Sequence, residues 1–125
     1  MEQSQLPLNE TVEVELTWPP RGLFPNRERT QHWSKSGRLA RLYRRECWIL
    51  TKASKAKGKL LRVTFHQPDK RRRDDDGMIA AFKAGRDGVA DALGVDDLGF
   101  RPEYRFADEP VKWGKVVHGA KLRIE

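Results

Sequence analysis

The chain has 125 residues, 38% of them hydrophobic and 34% charged, with a formal net charge of +7. That length allows one core and excludes two ordinary domains side by side, and so high a charged fraction must lie mostly at the surface. No apolar run approaches the roughly 18 residues of a membrane span, Glu2 and Glu10 stand where a secretion signal would be basic and then apolar, and the single cysteine, Cys47, excludes an intrachain disulfide or a cysteine-based zinc site. The expectation is a cytoplasmic protein with no membrane attachment.

The charge is unevenly spread. Residues 1–20 carry 4 acidic and no basic side chains, residues 21–73 carry 17 basic and 3 acidic, and residues 74–125 carry 8 basic and 11 acidic. A central segment at +14 is the footprint of a polyanion binder, because each cation that neutralises a phosphate releases a condensed counterion. A merely solubilising surface would intersperse the two signs.

Residues 1–10 read as a loosely ordered lead, and 11–125 as a single domain. From Thr11 to Trp18, Val12, Val14 and Leu16 alternate with polar residues, which predicts a strand with one buried face, closed by Pro19 and Pro20. A loop follows, containing Gly22, Pro25 and Asn26. Ser34 or Ser36 can then cap a first helix, with Leu39, Leu42, Tyr43, Ile49 and Leu50 near one face, ending in the lysine-rich stretch before Gly58. Leu61, Val63 and Phe65 alternate with polar residues in a second strand that Pro68 closes. A second helix is predicted from about Gly77 to Leu93, in which Gly85 and Gly88 are weak formers that permit close packing. Short strands around Tyr104–Ala107 and Lys121–Ile124 complete the chain, with Gly119 as a turn. The fold class is therefore α+β, a small mixed sheet with two main helices.

The most informative segment is Pro68-Asp69-Lys70-Arg71-Arg72-Arg73-Asp74-Asp75-Asp76-Gly77, where four consecutive cations meet three consecutive carboxylates at a strand-to-helix junction. In extended backbone alternate side chains share a side, so Asp74 and Asp76 can converge while Asp75 turns aside or caps the helix. Two convergent carboxylates repel unless a cation lies between them, and Mg²⁺ takes one or two carboxylates together with water and phosphate oxygens. Asp97, after the second helix, offers a third carboxylate if a return loop brings it back. Such a cluster suits phosphodiester hydrolysis. The same residues also read as helix-start carboxylates and a polar turn.

With those features in order, the chain resembles the RusA family of Holliday junction resolvases over roughly residues 14–124. Leu16-Thr17-Trp18-Pro19-Pro20 with the downstream Asn26 is similar to the family's opening strand, Pro-Pro turn and Asn. Pro68 through Asp76 is similar to its basic run leading into Asp-x-Asp, and Asp96-Asp97 to its later Asp-Asp pair. The resemblance implies a RusA-like homodimer that resolves four-way or other branched DNA by paired, Mg²⁺-dependent nicks, with Mn²⁺ able to substitute. Asp74, Asp76 and Asp97 would be the metal-binding catalytic carboxylates. The sequence departs from the family at Gly77, where Asn is usual, and at Ala80, where a functional Lys is common. Lys83, almost two turns beyond Asp76 on a continuous helix, is then the candidate catalytic cation. Lys70, Arg71, Arg72 and Arg73 would track phosphates beside the metals, and Asn26, Arg27, Arg29, Lys35 and Arg38 would hold junction arms. His32 reads as a satisfied or exposed histidine before a catalyst, and Trp33 and Trp48 as packing residues, with stacking on a base near the junction's open centre as their alternative. The alternative is a noncatalytic branched-DNA-binding protein of the same fold.

Overall fold

A computed structural model describes residues 11–25, 33–58, 61–95 and 102–121. Four strands, β1 (Thr11–Thr17), β2 (Leu61–His66), β3 (Glu103–Phe106) and β4 (Lys115–Lys121), form one sheet in the order β1-β4-β2-β3. β4 runs antiparallel to both β1 and β2, and β3 lies parallel to β2, so the sheet is mixed. The helices are α1 (Trp33–Ser54), α2 (Asp75–Ala81) and α3 (Lys83–Leu93). A parallel pair needs a long crossover, and α2 with α3 supplies it between β2 and β3. No helix among the described residues is long and apolar enough to cross a membrane.

Alternation carries through to burial. Val14 and Leu16 of β1, and Leu61, Val63 and Phe65 of β2, face the core while their neighbours Glu13, Glu15 and Arg62 are exposed. Onto that face α1 lays Tyr43, Cys47 and Thr51, four residues apart and hence on one stripe. The Tyr43 hydroxyl donates to the Thr17 carbonyl at 2.7 Å, pinning the helix to the end of β1. Phe65 is the hub: Phe82 and Trp18 meet it edge-on at 5.7 and 6.2 Å, and Tyr104 and Phe106 stack on it at 6.0 and 5.5 Å.

The structure changes the expected architecture in four places. The predicted second helix is two helices that meet at Phe82 (φ −85°, ψ −4°), whose ring is fully buried between Phe65 and Tyr43, making three helices in place of two. The last described strand occupies 115–121 and holds Gly119 opposite Glu13 and Arg62, so that glycine is a strand residue and not a turn, while residues 122–124 of the strand expected at Lys121–Ile124 lie outside the described residues. β3 begins one residue earlier than predicted, at Glu103. Finally, α1 stops at Ser54 because Lys55 takes a left-handed conformation (φ 60°), before Gly58 is reached. Gly85 and Gly88 do permit close packing: a Cβ on Gly88 would lie 2.2 Å from the Arg44 carbonyl oxygen, and one on Gly85 would lie 2.7 Å from the Tyr43 ring. The lead at 1–10 lies outside the described residues.

Candidate active-site groove

β1 and β2 finish, and β4 starts, at one end of the sheet, since Thr17 and His66 both pair with Lys115. Three connections gather there: Trp18–Pro25 after β1, Gln67–Asp74 after β2, and Ala107–Gly114 before β4. The second is braced from within. Asp69 Oδ1 accepts from the Arg71 amide at 2.9 Å and from Arg73 Nη1 at 2.7 Å. Arg73 also donates to Gln67 Oε1 at 3.0 Å, and its guanidinium lies 5.6 Å from the centre of the Trp18 ring. The Arg73 bonds, aided by the Arg71 amide, hold the Asp69 carboxyl below the usual carboxylate range.

This bracing sets the entry into α2. Asp74 occupies the N-cap position in extended backbone (φ −71°, ψ 139°), but its side chain makes no capping hydrogen bond. Asp76 lies in the first helical turn. Both line a groove of about 800 Å³, whereas Asp75 does not. Asp74 and Asp76 thus reach the groove from a cap residue and the second residue of a helix, and not from the extended strand on which the expectation rested. Arg71, Arg72 and Arg73 line the same groove, and Trp18, Pro19, Phe24 and Pro68 give it an apolar floor.

Arg21 is the groove residue that sequence reasoning missed. A short 3₁₀ turn, Arg21–Leu23, begins directly after Pro19-Pro20, with the Leu23 amide donating to the Pro20 carbonyl at 2.9 Å. The proline pair cannot continue a sheet, so the chain turns there, and Arg21 comes to line the groove. That motif was the available signal.

The other candidates divide. Lys70 is exposed beside the groove, in a hollow shared with Arg71 and Arg72. Lys35 and Arg38 are exposed on the first turns of α1. Because Tyr43 reaches the end of β1, those turns project past the same end of the sheet. Lys83 is exposed at the start of α3 and is absent from the groove lining, while Ala80 is part of it. The break at Phe82 removes the single continuous helix on which the pairing of Lys83 with Asp76 depended. Asn26, Arg27, Arg29, His32 and Asp97 lie outside the described residues. Among the described residues no group of three or more His, Cys, Asp or Glu could hold a metal ion. The carboxylate pair is nonetheless a hard oxygen donor set of the kind Mg²⁺ takes.

The nearest described residues on either side of 96–101 are Val95 and Pro102. α3 ends at Gly94 (φ 70°), whose left-handed backbone terminates the helix, with the Val95 amide donating to the Ala90 carbonyl at 3.1 Å. Ala92–Gly94 share a hollow with Lys55–Lys57, which lie just before β2. Pro102 precedes Glu103, the partner of Arg62 near the start of β2. Both ends of the intervening segment therefore lie at the opposite end of the sheet from Asp74 and Asp76.

Fold and site together define an α+β domain with a four-stranded mixed sheet and a groove lined by two aspartates and four arginines. No protein-family model matches the chain. An uncharacterized protein of Xylella fastidiosa (strain Temecula1 / ATCC 700964) is 34% identical over 110 residues, spanning 82% of this chain and 71% of that protein, and this chain belongs to the same family.

Proposed function

We propose that the protein is a metal-dependent endodeoxyribonuclease of the RusA class, acting as a homodimer on four-way or other branched DNA. The observation that carries this reading is the meeting of Asp74 and Asp76 with Arg21, Arg71 and Arg72 in one groove. Carboxylates alone would repel a phosphodiester, and arginines alone would only bind it. Together they offer oxygen ligands for Mg²⁺, with Mn²⁺ able to substitute, beside planar cations that hold the flanking phosphates.

A divalent cation bound by the pair supplies Lewis acidity toward phosphate and lowers the pKa of water. The protein groups do the rest. Arg71 and Arg72 bind the strand on either side of the scissile bond. Arg21, in the same groove lining, would stabilise the negative charge that grows as water attacks phosphorus and the 3′ oxygen departs. Arg73 and Asp69 keep the segment rigid enough for the two carboxylates to stay together.

The dimer suits the symmetry of the substrate. Isologous pairing gives two equivalent sites for the two equivalent strands of a junction.

The test is Mg²⁺-dependent cleavage of a synthetic four-way junction. Asp76→Asn should lower the rate by roughly a thousandfold or more, consistent with the several kcal/mol that metal ligation supplies to such reactions, while leaving junction binding intact. Equal cleavage by wild type and Asp76→Asn would sink the assignment. One observation favours the noncatalytic alternative: Ala80 lines the groove and Lys83 does not. On that alternative the wild type binds the junction and leaves it uncut.

A further inference from the structure

The end of the sheet that carries the groove also bears an aromatic side chain outside the groove lining. Trp113 is 82% exposed, on the turn that precedes β4. Leaving an indole in water is unfavourable, and the turn beneath it is firmly anchored. The Val111 amide donates to the Gln67 carbonyl at 2.8 Å and the Gly114 amide to the Val111 carbonyl at 3.3 Å. Gly114 sits so close to Pro68 that a Cβ there would lie 2.7 Å from the proline Cδ. Pro68 is itself part of the groove lining, so the turn is built on the groove wall.

The charges around Trp113 say what it can meet. The Lys112 ammonium lies 5.6 Å from the centre of the indole ring. Asp108 and Glu109, exposed earlier in the same connection, share a hollow with Lys70, Arg71 and Arg72. Those two carboxylates would repel a phosphate backbone laid along the turn, whereas a base is uncharged and offers a flat apolar face. Every internal base pair of a continuous duplex has both faces covered by its neighbours, but a branch point leaves faces open. An exposed indole with an adjacent ammonium is the pairing that stacks on a base and holds its phosphate.

Resting on the reading of the protein as a branched-DNA nuclease, we infer that Trp113 is a stacking platform for an unstacked base at the branch point, and that it sets the preference for branched over continuous DNA. Binding at fixed salt without divalent metal is measured for a synthetic four-way junction carrying 2-aminopurine at the branch point, and for a linear duplex of one arm. Trp113→Ala should weaken junction binding by roughly 5- to 100-fold, the range found for loss of a base–aromatic stack, and leave duplex binding unchanged. Trp113→Phe should retain most of the junction affinity. Quenching of the 2-aminopurine should survive in Trp113→Phe and vanish in Trp113→Ala. The inference is overturned if Trp113→Ala binds the junction as tightly as wild type, if it weakens junction and duplex equally, or if it elutes as a smaller species, which would make Trp113 an assembly contact. Those failures leave the nuclease reading intact so long as wild type cuts the junction. A wild-type chain that binds junction and duplex alike overturns both.

Discussion

The contact between α1 and α3 and the segment from Gln67 to Gly77 use charge in opposite ways. Where the helices cross, Arg44 grips Asp91 through two bonds of 2.7 and 3.0 Å, and glycines let the backbones close beneath that pair. In the Gln67–Gly77 segment only Arg73 and Asp69 hold each other, and Asp74, Asp76, Arg71 and Arg72 are left lining open space. Charges in the first region complete the fold. Those in the second await something from outside it, and the comparison separates residues whose loss should alter stability from residues whose loss should alter binding.

The sharpest way to break this division is Gly88→Ala. Its Cβ would meet backbone, the Arg44 carbonyl at 2.2 Å, which cannot swing aside as a side chain would. The helices must separate, at about 2–3 kcal/mol or more, the scale of overpacking in a core. Urea unfolding should show that loss, while the variant, at temperatures where it stays folded, should keep its affinity for DNA. Undiminished stability would mean that the close approach is unnecessary.

A second test of the packed region uses pH. His118 is fully buried between α1 and the sheet, its Nε2 3.1 Å from Thr51 Oγ1, and burial brings its pKa down to about 4 from the ordinary 6.5. Between those values the unfolded chain binds a proton that the folded chain refuses. Stability is therefore fully present above about pH 6.5 and falls as pH drops toward 4, by about 2–3 kcal/mol at one pKa unit per 1.4 kcal/mol. Unfolding followed from pH 7 to 4.5 should show the decline in wild type and a flatter line in His118→Leu. Differencing the two removes the contribution of the carboxylates, Asp69 among them. Parallel lines would show that His118 is not held neutral.

His118 also marks where the sequence was legible and where it was not. Regular alternation announced β1 and β2, because each buries one face and exposes the other. β4 hid because adjacent valines, a histidine at a core position and a glycine opposite two neighbouring strands blur its period. The second helix was visible as a whole, but its division at Phe82 depends on the ring meeting Phe65 and Tyr43, partners remote in sequence. In the groove, the composition of the basic and acidic runs pointed to Asp74 and Asp76. The groove position of Arg21 was missed because it depends on where the proline pair sends the chain. Arg73 and Arg71 looked alike for the same reason, since the Asp69 carboxylate and the Trp18 ring that engage Arg73 come together only in the fold.

That last distinction yields the finest test. Arg71 and Arg72 line the groove with their side chains exposed, whereas the Arg73 side chain is 16% exposed and bonded to Asp69 and Gln67. Replacing Arg71 or Arg72 by Ala should weaken DNA binding and reduce the slope of log affinity against log salt by roughly one per residue, since one phosphate contact is lost. Stability should stay within about 0.5 kcal/mol of wild type, as for other exposed substitutions. Arg73→Ala should do the reverse. It removes a charge-assisted bond and the cation over Trp18, so it should lower stability by about 1 kcal/mol while leaving the salt slope nearly unchanged. If all three arginines shift the salt slope equally, Arg73 is a phosphate ligand like its neighbours, and the bracing of the groove must come from Asp69 and the backbone alone.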